Sequence, residues 1–187
     1  MITKILIIIV IIMIVFMYIQ YYSKYNKGYN ITQTFLDKIN IEHLYEKNPI
    51  VIYDKIKTPK QLLKTLFKYS YITSNEYTLK PNIIYMNKSK FSFIYSNSTS
   101  VNINLINPIY KKDFVKNNNM WKTNNRITTI NTMLKDTNVE YITIKLNPLQ
   151  ILIIPSHWMI HIDVIAKENK VNKVDLDDVF TYLYFSF

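Results

Sequence analysis

The sequence predicts a mainly β fold: a single β domain of sandwich, barrel or jelly-roll type with one or two flanking helices, preceded by an N-terminal transmembrane helix. Three observations carry that reading. Residues 5–22 are an apolar run with Gln20 as its one strongly polar member. Two later segments, Val101-Asn-Ile103-Asn-Leu105 and Ile142-Thr-Ile144-Lys-Leu146, alternate apolar and polar residues with the period of two of a half-buried strand. Shorter β-branched or aromatic runs, bounded by Pro, Asn or Lys, recur through the rest of the chain. With 187 residues there is room for one sizeable core and an appendage. The expected division is an anchor at 1–22, a linker at 23–35 and a β domain at 36–187.

The 18 residues from Ile5 to Tyr22 would span roughly 27 Å as a helix, enough for a thin bilayer. Tyr18, Tyr21 and Tyr22 lie at the C-terminal end of the run, where amphipathic rings suit the headgroup layer. A cleaved signal peptide would need small residues after the apolar run, and Gln20-Tyr-Tyr-Ser-Lys-Tyr-Asn26 offers no such site. The expectation is an uncleaved single-pass anchor contacting the lipid bilayer through residues 5–22. The amino terminus and Lys4 nearly balance Lys24, Lys27 and Lys38, so the charge rule leans only slightly toward a cytosolic C-terminal domain. Sequons at Asn30, Asn87 and Asn97 are about as many as chance places in a chain with 21 Asn and 25 Ser plus Thr.

Tyr25 to Asn30, which holds the only glycine, Gly28, reads as a polar linker. Thr58-Pro59-Lys60-Gln61 opens a helix: a Thr cap, Pro at the first helical position and Gln three residues after the cap. Leu62, Leu63, Leu66 and Phe67 then give it one apolar, core-facing side. A second helix is expected from Asn125 to Lys135. Further strands are expected at 48–53, 82–85, 91–95 and 151–154, with a last one from Tyr182 to Phe187. Turns are expected to use Asn for positive φ, because glycine is missing.

Composition excludes several chemistries. Cysteine is absent, which removes disulfides, thiolate metal sites and cysteine nucleophiles. Ile, Lys, Asn, Tyr and Phe supply 100 of 187 residues, whereas Gly, Ala and Arg occur once each, the pattern of an extremely A/T-rich coding sequence. Of the 23 basic residues behind the net charge of +10, 22 are Lys. Base readout favours the bidentate Arg fork, so nucleic acid is not the expected partner.

The stretch Leu146-Asn-Pro-Leu-Gln-Ile-Leu-Ile-Ile-Pro-Ser-His-Trp-Met-Ile-His-Ile162 resembles the turn, strand, Ile-Pro corner, Trp and return strand of cupin-like and JmjC-type double-stranded β-helix proteins. Asn147-Pro148-Leu149-Gln150 stands where that family has its turn, Ile154-Pro155 at the corner and Trp158 as the aromatic. Asn48-Pro49-Ile50-Val51-Ile52 resembles the opening strand, and Tyr95 to Pro108, ending in Leu105-Ile-Asn-Pro108, the central hairpin region. The resemblance covers residues 36–187 and implies a cupin-like jelly roll. From the residues alone Pro155 and Trp158 read as structural, since proline ends strand pairing and a corner Trp buries a large area.

Active members of the resembled family bind Fe(II) through a His-x-Asp/Glu pair and a later His, leaving room for 2-oxoglutarate and oxygen. Here Asn48 to Val139 holds no histidine, and Ile160 occupies the position of the later ligand. His161 is one residue further, which on a strand turns it to the opposite face. The domain therefore reads as a degenerate, noncatalytic relative with no expected cofactor. His157, His161 and Asp163 remain the metal candidates, with structural histidines at the rim the favoured reading, and His43 is expected at a surface or interface without a partner. Asp175, Asp177 and Asp178 read as acids of a helix start or turn. An anchor, a small degenerate cupin-like domain and A/T-rich coding together resemble the gene complement of a large DNA virus. The expected function is a structural or assembly component of a virion or host-cell membrane, acting through a protein partner. Two alternatives stand beside it: a divergent metal-dependent oxygenase, and a basic domain that binds anionic lipid or nucleic acid.

Overall fold

The computed structural model describes residues 2–23, 28–56, 59–67, 72–81, 83–117, 120–123 and 139–173. In chain order its helices are α1 (Ile2–Ser23), α2 (Ile41–Tyr45) and α3 (Pro59–Leu66). Its strands are β1 (Thr32–Thr34), β2 (Ile50–Ile52), β3 (Ile72–Leu79), β4 (Ile84–Met86), β5 (Phe91–Tyr95), β6 (Val101–Ile106), β7 (Phe114–Asn117), β8 (Met120–Thr123), β9 (Tyr141–Leu146), β10 (Ile151–Pro155), β11 (Met159–Ile162) and β12 (Ala166–Lys173). A 3-10 turn, Pro108–Asp113, leads from β6 to β7.

These strands form two six-stranded sheets, ordered β1-β2-β10-β5-β12-β3 and β7-β8-β4-β11-β6-β9. The fold is mainly β. β1 and β2 run parallel, and the other pairs are antiparallel. The chain changes sheet at each step from β3 through β4 and β5 to β6. It stays in the second sheet to β9, then alternates again through β10, β11 and β12. The two period-two segments become β6 and β9 and pair directly, with Val101 opposite Leu146 and Leu105 opposite Ile142.

Three apolar clusters arise from which face each residue takes. Between the sheets lie Ile94, Leu152 and Ile154 from one side and Ile103, Leu105, Ile160 and Ile162 from the other, with Trp158 among them. On the outer face of the first sheet, Ile50, Ile52, Phe93, Ile151 and Ile153 meet Leu44 of α2 and Leu62, Leu63 and Leu66 of α3. This explains the uninterrupted apolar run of β10, which is buried on both faces. On the outer face of the second sheet Ile84, Met86, Ile106 and Met159 pack with Phe114 and Val139. Both flanking helices thus cover one sheet.

Part of the expected linker 23–35 belongs to the fold. Tyr29 and Ile31 pack on the cluster between the sheets, and Thr32 to Thr34 pair with Ile50 to Ile52. This short parallel pairing is invisible to pattern reading because Thr-Gln-Thr has no apolar alternation. Among the described residues positive φ is taken by Lys47, Leu149 and His157 and not by Asn. Leu149 is held there from both sides, its N–H donating to the Ser96 carbonyl (2.8 Å) and its own carbonyl accepting from Ile56 (2.8 Å). Asn instead supplies caps and clamps.

The apolar side chains of α1 are exposed, from Val10 at 43% to Met17 at 70%, with Val15 half-buried. The unbroken run of described side chains in this helix, residues 3–17, covers about 22 Å. Among the described residues no helix is long and apolar enough to cross a membrane, although the backbone helix continues to Ser23. The helix expected at 125–135, the strand at 182–187 and Asp175, Asp177 and Asp178 lie outside the described residues.

Candidate functional site

The corner between β10 and β11 holds His157 and leads into the strand that carries His161, and an asparagine holds it together. Asn87, 1% exposed, donates its side-chain amide to the carbonyls of Ile154 (2.9 Å) and Pro155 (3.0 Å). Its Oδ1 accepts from the Ser89 N–H at 2.9 Å. Its backbone carbonyl accepts from the His157 N–H (2.8 Å), and its N–H donates to the Trp158 carbonyl (2.9 Å). Proline ends the ladder at Pro155, and Asn87 donates to the last two carbonyls of β10 there.

Within that clamp His157 adopts a left-handed backbone, φ 73°, and is buried. Its pKa falls to about 4, chiefly because burial penalises the charged ring and then because the ammonium groups of Lys111 and Lys47 are near. Trp158, 1% exposed, fills the end of the core and donates its indole N–H to the Lys47 carbonyl at 3.4 Å. Tyr29 meets it edge-on, with ring centroids 5.9 Å apart. The Tyr29 hydroxyl donates to the Glu140 carbonyl and accepts from the Asn107 N–H at 3.2 Å. Burial pushes the Tyr29 pKa up to about 12.

Further along β11, Ile160 faces the core between the sheets. His161 points the other way, onto the outer face of the second sheet. There its Nδ1 accepts from Asn104 Nδ2 (3.1 Å), and Asn104 Oδ1 accepts from the Thr143 hydroxyl (2.7 Å). That chain assigns the Nε2–H tautomer, and Nε2 is buried with no hydrogen-bond partner among the described residues. Burial lowers the His161 pKa, and the nearby Asp163 raises it in part. Asp163 is occupied elsewhere: its carboxylate accepts from the Asn102 N–H (2.9 Å) and the Asn102 side chain (2.6 Å).

The structure therefore does not bring His157, His161 and Asp163 together as ligands. His157 sits in the corner turn before β11, His161 on one sheet face, and Asp163 past the opposite end of the strand. Among the described residues no group of three or more His, Cys, Asp or Glu side chains could hold a metal ion. His43 lies apart and has a partner: it completes a capping box with Asn40, its N–H donating to Asn40 Oδ1 (3.1 Å) and its Nδ1 accepting from the Asn40 N–H (3.2 Å).

Two polar features escape a reading of the sequence. Glu168, 2% exposed, faces the space between the sheets, accepting from the Ser92 hydroxyl at 2.5 Å with Lys170 Nζ at 3.7 Å. Asn87 stands out in the sequence only as a sequon. Neither can be found from pattern alone, since nothing local marks a Glu or Asn as buried. At the other end of the sandwich an open groove of about 670 Å³ is walled by Pro81, residues 96–99 and residues 163–167. Its charged side chains, Asp163 and Lys167, are engaged by Asn102 and by Glu76 (3.1 Å). No family model matches the chain, and no curated protein matches it significantly.

Proposed function

We propose that this chain is a membrane-anchored, noncatalytic jelly-roll protein of cupin-like type, a structural or assembly component of a virion or host-cell membrane that works through protein contacts. The observation that carries the reading is the character of α1: 22 residues of helix whose described apolar side chains are exposed, Val15 alone among them being half-buried. In water that surface would be costly, at roughly 25 cal/mol per Å² of apolar area. In a bilayer it is solvated. The apolar run 5–22 within it corresponds to roughly 27 Å of helix, the thickness of a thin bilayer's hydrocarbon.

The jelly-roll part of the proposal is supported by strand order. The four strands β3-β12-β5-β10 stand side by side in one sheet and β4-β11-β6-β9 in the other, with the chain alternating between them. Two interlocked Greek keys give that arrangement. The noncatalytic part is supported by Ile160, Leu105 and Ile103, apolar residues that line the interior of the second sheet. The viral part is supported by the A/T-rich residue usage of a small anchored chain.

The test is alkaline carbonate extraction of membranes from cells making the full chain. Retention in the pellet is expected, with release of an Ile8→Lys/Ile12→Lys variant, whose two charges are each costly in hydrocarbon. Release of the unaltered chain into the supernatant overturns the anchor.

A further inference from the structure

The end of the β domain next to α1 is fixed by the chain's path. α1 ends at Ser23 and the fold resumes at Gly28, whose carbonyl accepts from Asn107 Nδ2 at 3.3 Å. Five residue steps span at most about 18 Å. The chain then enters at the end of the sandwich where β6 finishes, β11 starts and Tyr29 meets Trp158.

That same end carries lysines from three separate segments. Lys47 precedes β2 and offers its carbonyl to Trp158. Lys88 and Lys90 lie in the loop that holds the corner, where the Lys90 carbonyl accepts from the Ser156 N–H at 3.1 Å. Lys111 and Lys112 end the 3-10 turn that Asn107 caps. Lys47 and Lys111 both lie close enough to act on the His157 ring. Lys88 and Lys112 are exposed. The acids of these segments are Glu46 and Asp113, and Glu140 precedes β9 at the same end, its carbonyl held by Tyr29.

We infer that this end of the domain rests on the headgroup layer of the membrane that holds α1, its five lysines set against anionic phospholipid. The inference depends on the proposed anchor. Given that anchor, the tether holds the corner within reach of the headgroups, and charge selects the surface it meets. Each lysine near an anionic leaflet gains a modest attraction that decays within a Debye length, so a short tether is what makes five of them effective. The aromatic pair Tyr29 and Trp158 secures the first turn of chain beyond the tether to the fold.

The experiment uses the full chain reconstituted in vesicles of phosphatidylcholine alone or with about 30% phosphatidylserine. Lysines are labelled with an amine-reactive reagent and quantified site by site. The expected result is roughly fivefold weaker labelling of Lys88, Lys111 and Lys112 in the anionic vesicles, with Lys80 and Lys145 at the far end unchanged. Salt at about 0.5 M should abolish the difference. A Lys88→Gln/Lys112→Gln variant, altered only at exposed positions, should lose most of the protection of Lys111. Equal labelling in both vesicles, or protection centred on Lys80 and Lys145, overturns the inference while leaving the anchor standing. Release of the chain by carbonate before labelling overturns both.

Discussion

The side-chain amide of Asn87 reaches the carbonyl of Pro155 at 3.0 Å across 68 positions of sequence, and through that bond the β4–β5 loop governs the corner from which β11 departs. The same amide holds Ile154, and the same residue's backbone holds His157 and Trp158. One asparagine thus sets where the strand carrying Ile160 and His161 begins.

Asn87→Ala should destabilise the domain by about 2–4 kcal/mol, because two strand-end carbonyls and the Ser89 N–H lose the Asn87 hydrogen bonds together. Asn87→Asp should be at least as damaging, since it replaces the donor with an acceptor facing two carbonyls. Denaturant unfolding of the full chain in detergent checks both. The same burial predicts that Asn87 carries no glycan when the chain passes through a glycosylating compartment, a point read by mass spectrometry.

His157 makes stability depend on acid. Its folded pKa, about 4, lies below the ordinary value near 6.5, so the unfolded chain binds the proton more readily. Its contribution is complete above about pH 6.5, is lost as pH falls toward 4, and amounts to about 3 kcal/mol across that window. His161, shifted in the same direction, steepens the trend. His157→Asn, which tolerates the left-handed backbone, should flatten the slope of unfolding free energy between pH 4 and 6.5. An unchanged slope would count against the burial argument.

Trp158→Ala should cost about 3–5 kcal/mol, the usual range for a fully buried indole. It should also loosen residues 28–31, because Tyr29 stacks edge-on against that ring. Limited proteolysis would show this as new cleavage near Tyr29 ahead of global unfolding.

Ser92→Ala removes the hydroxyl that the buried Glu168 carboxylate accepts from at 2.5 Å. A loss of about 1–3 kcal/mol is expected. Ser92→Ala should cost markedly less in a Glu168→Gln background, and a double-mutant cycle reads the coupling.

Neither Zn²⁺ nor a chelator should move the unfolding midpoint. Both Asp163 oxygens accept from Asn102, and His161 Nδ1 accepts from Asn104. A saturable upward shift with metal would show ligands that these contacts do not leave available.

Much of the fold was legible. The runs at 91–95 and 151–154 became β5 and β10, the alternating segments became β6 and β9, and the capped helix began at Pro59. β3 and β12 were not legible. Ala-Lys-Glu-Asn-Lys-Val-Asn-Lys has neither apolar alternation nor β-branched density, yet β12 lies between β5 and β3 and buries Glu168 and Asn169. Cross-strand partners far away in sequence decide such a strand. The site was legible only in part: the shift of His161 off the interior face came from period two, whereas the clamp at Asn87 did not.

By itself the sequence determined the apolar N-terminal helix, the β character of the rest of the chain and the lack of thiol chemistry, because hydrophobic period and residue inventory are local properties. Tertiary structure alone decided which strands are neighbours, that residues 28–34 join the fold, and that five lysines from three segments share the end nearest α1. Those facts depend on contacts between residues as many as 111 positions apart, and no local pattern encodes a contact whose partner lies elsewhere in the chain.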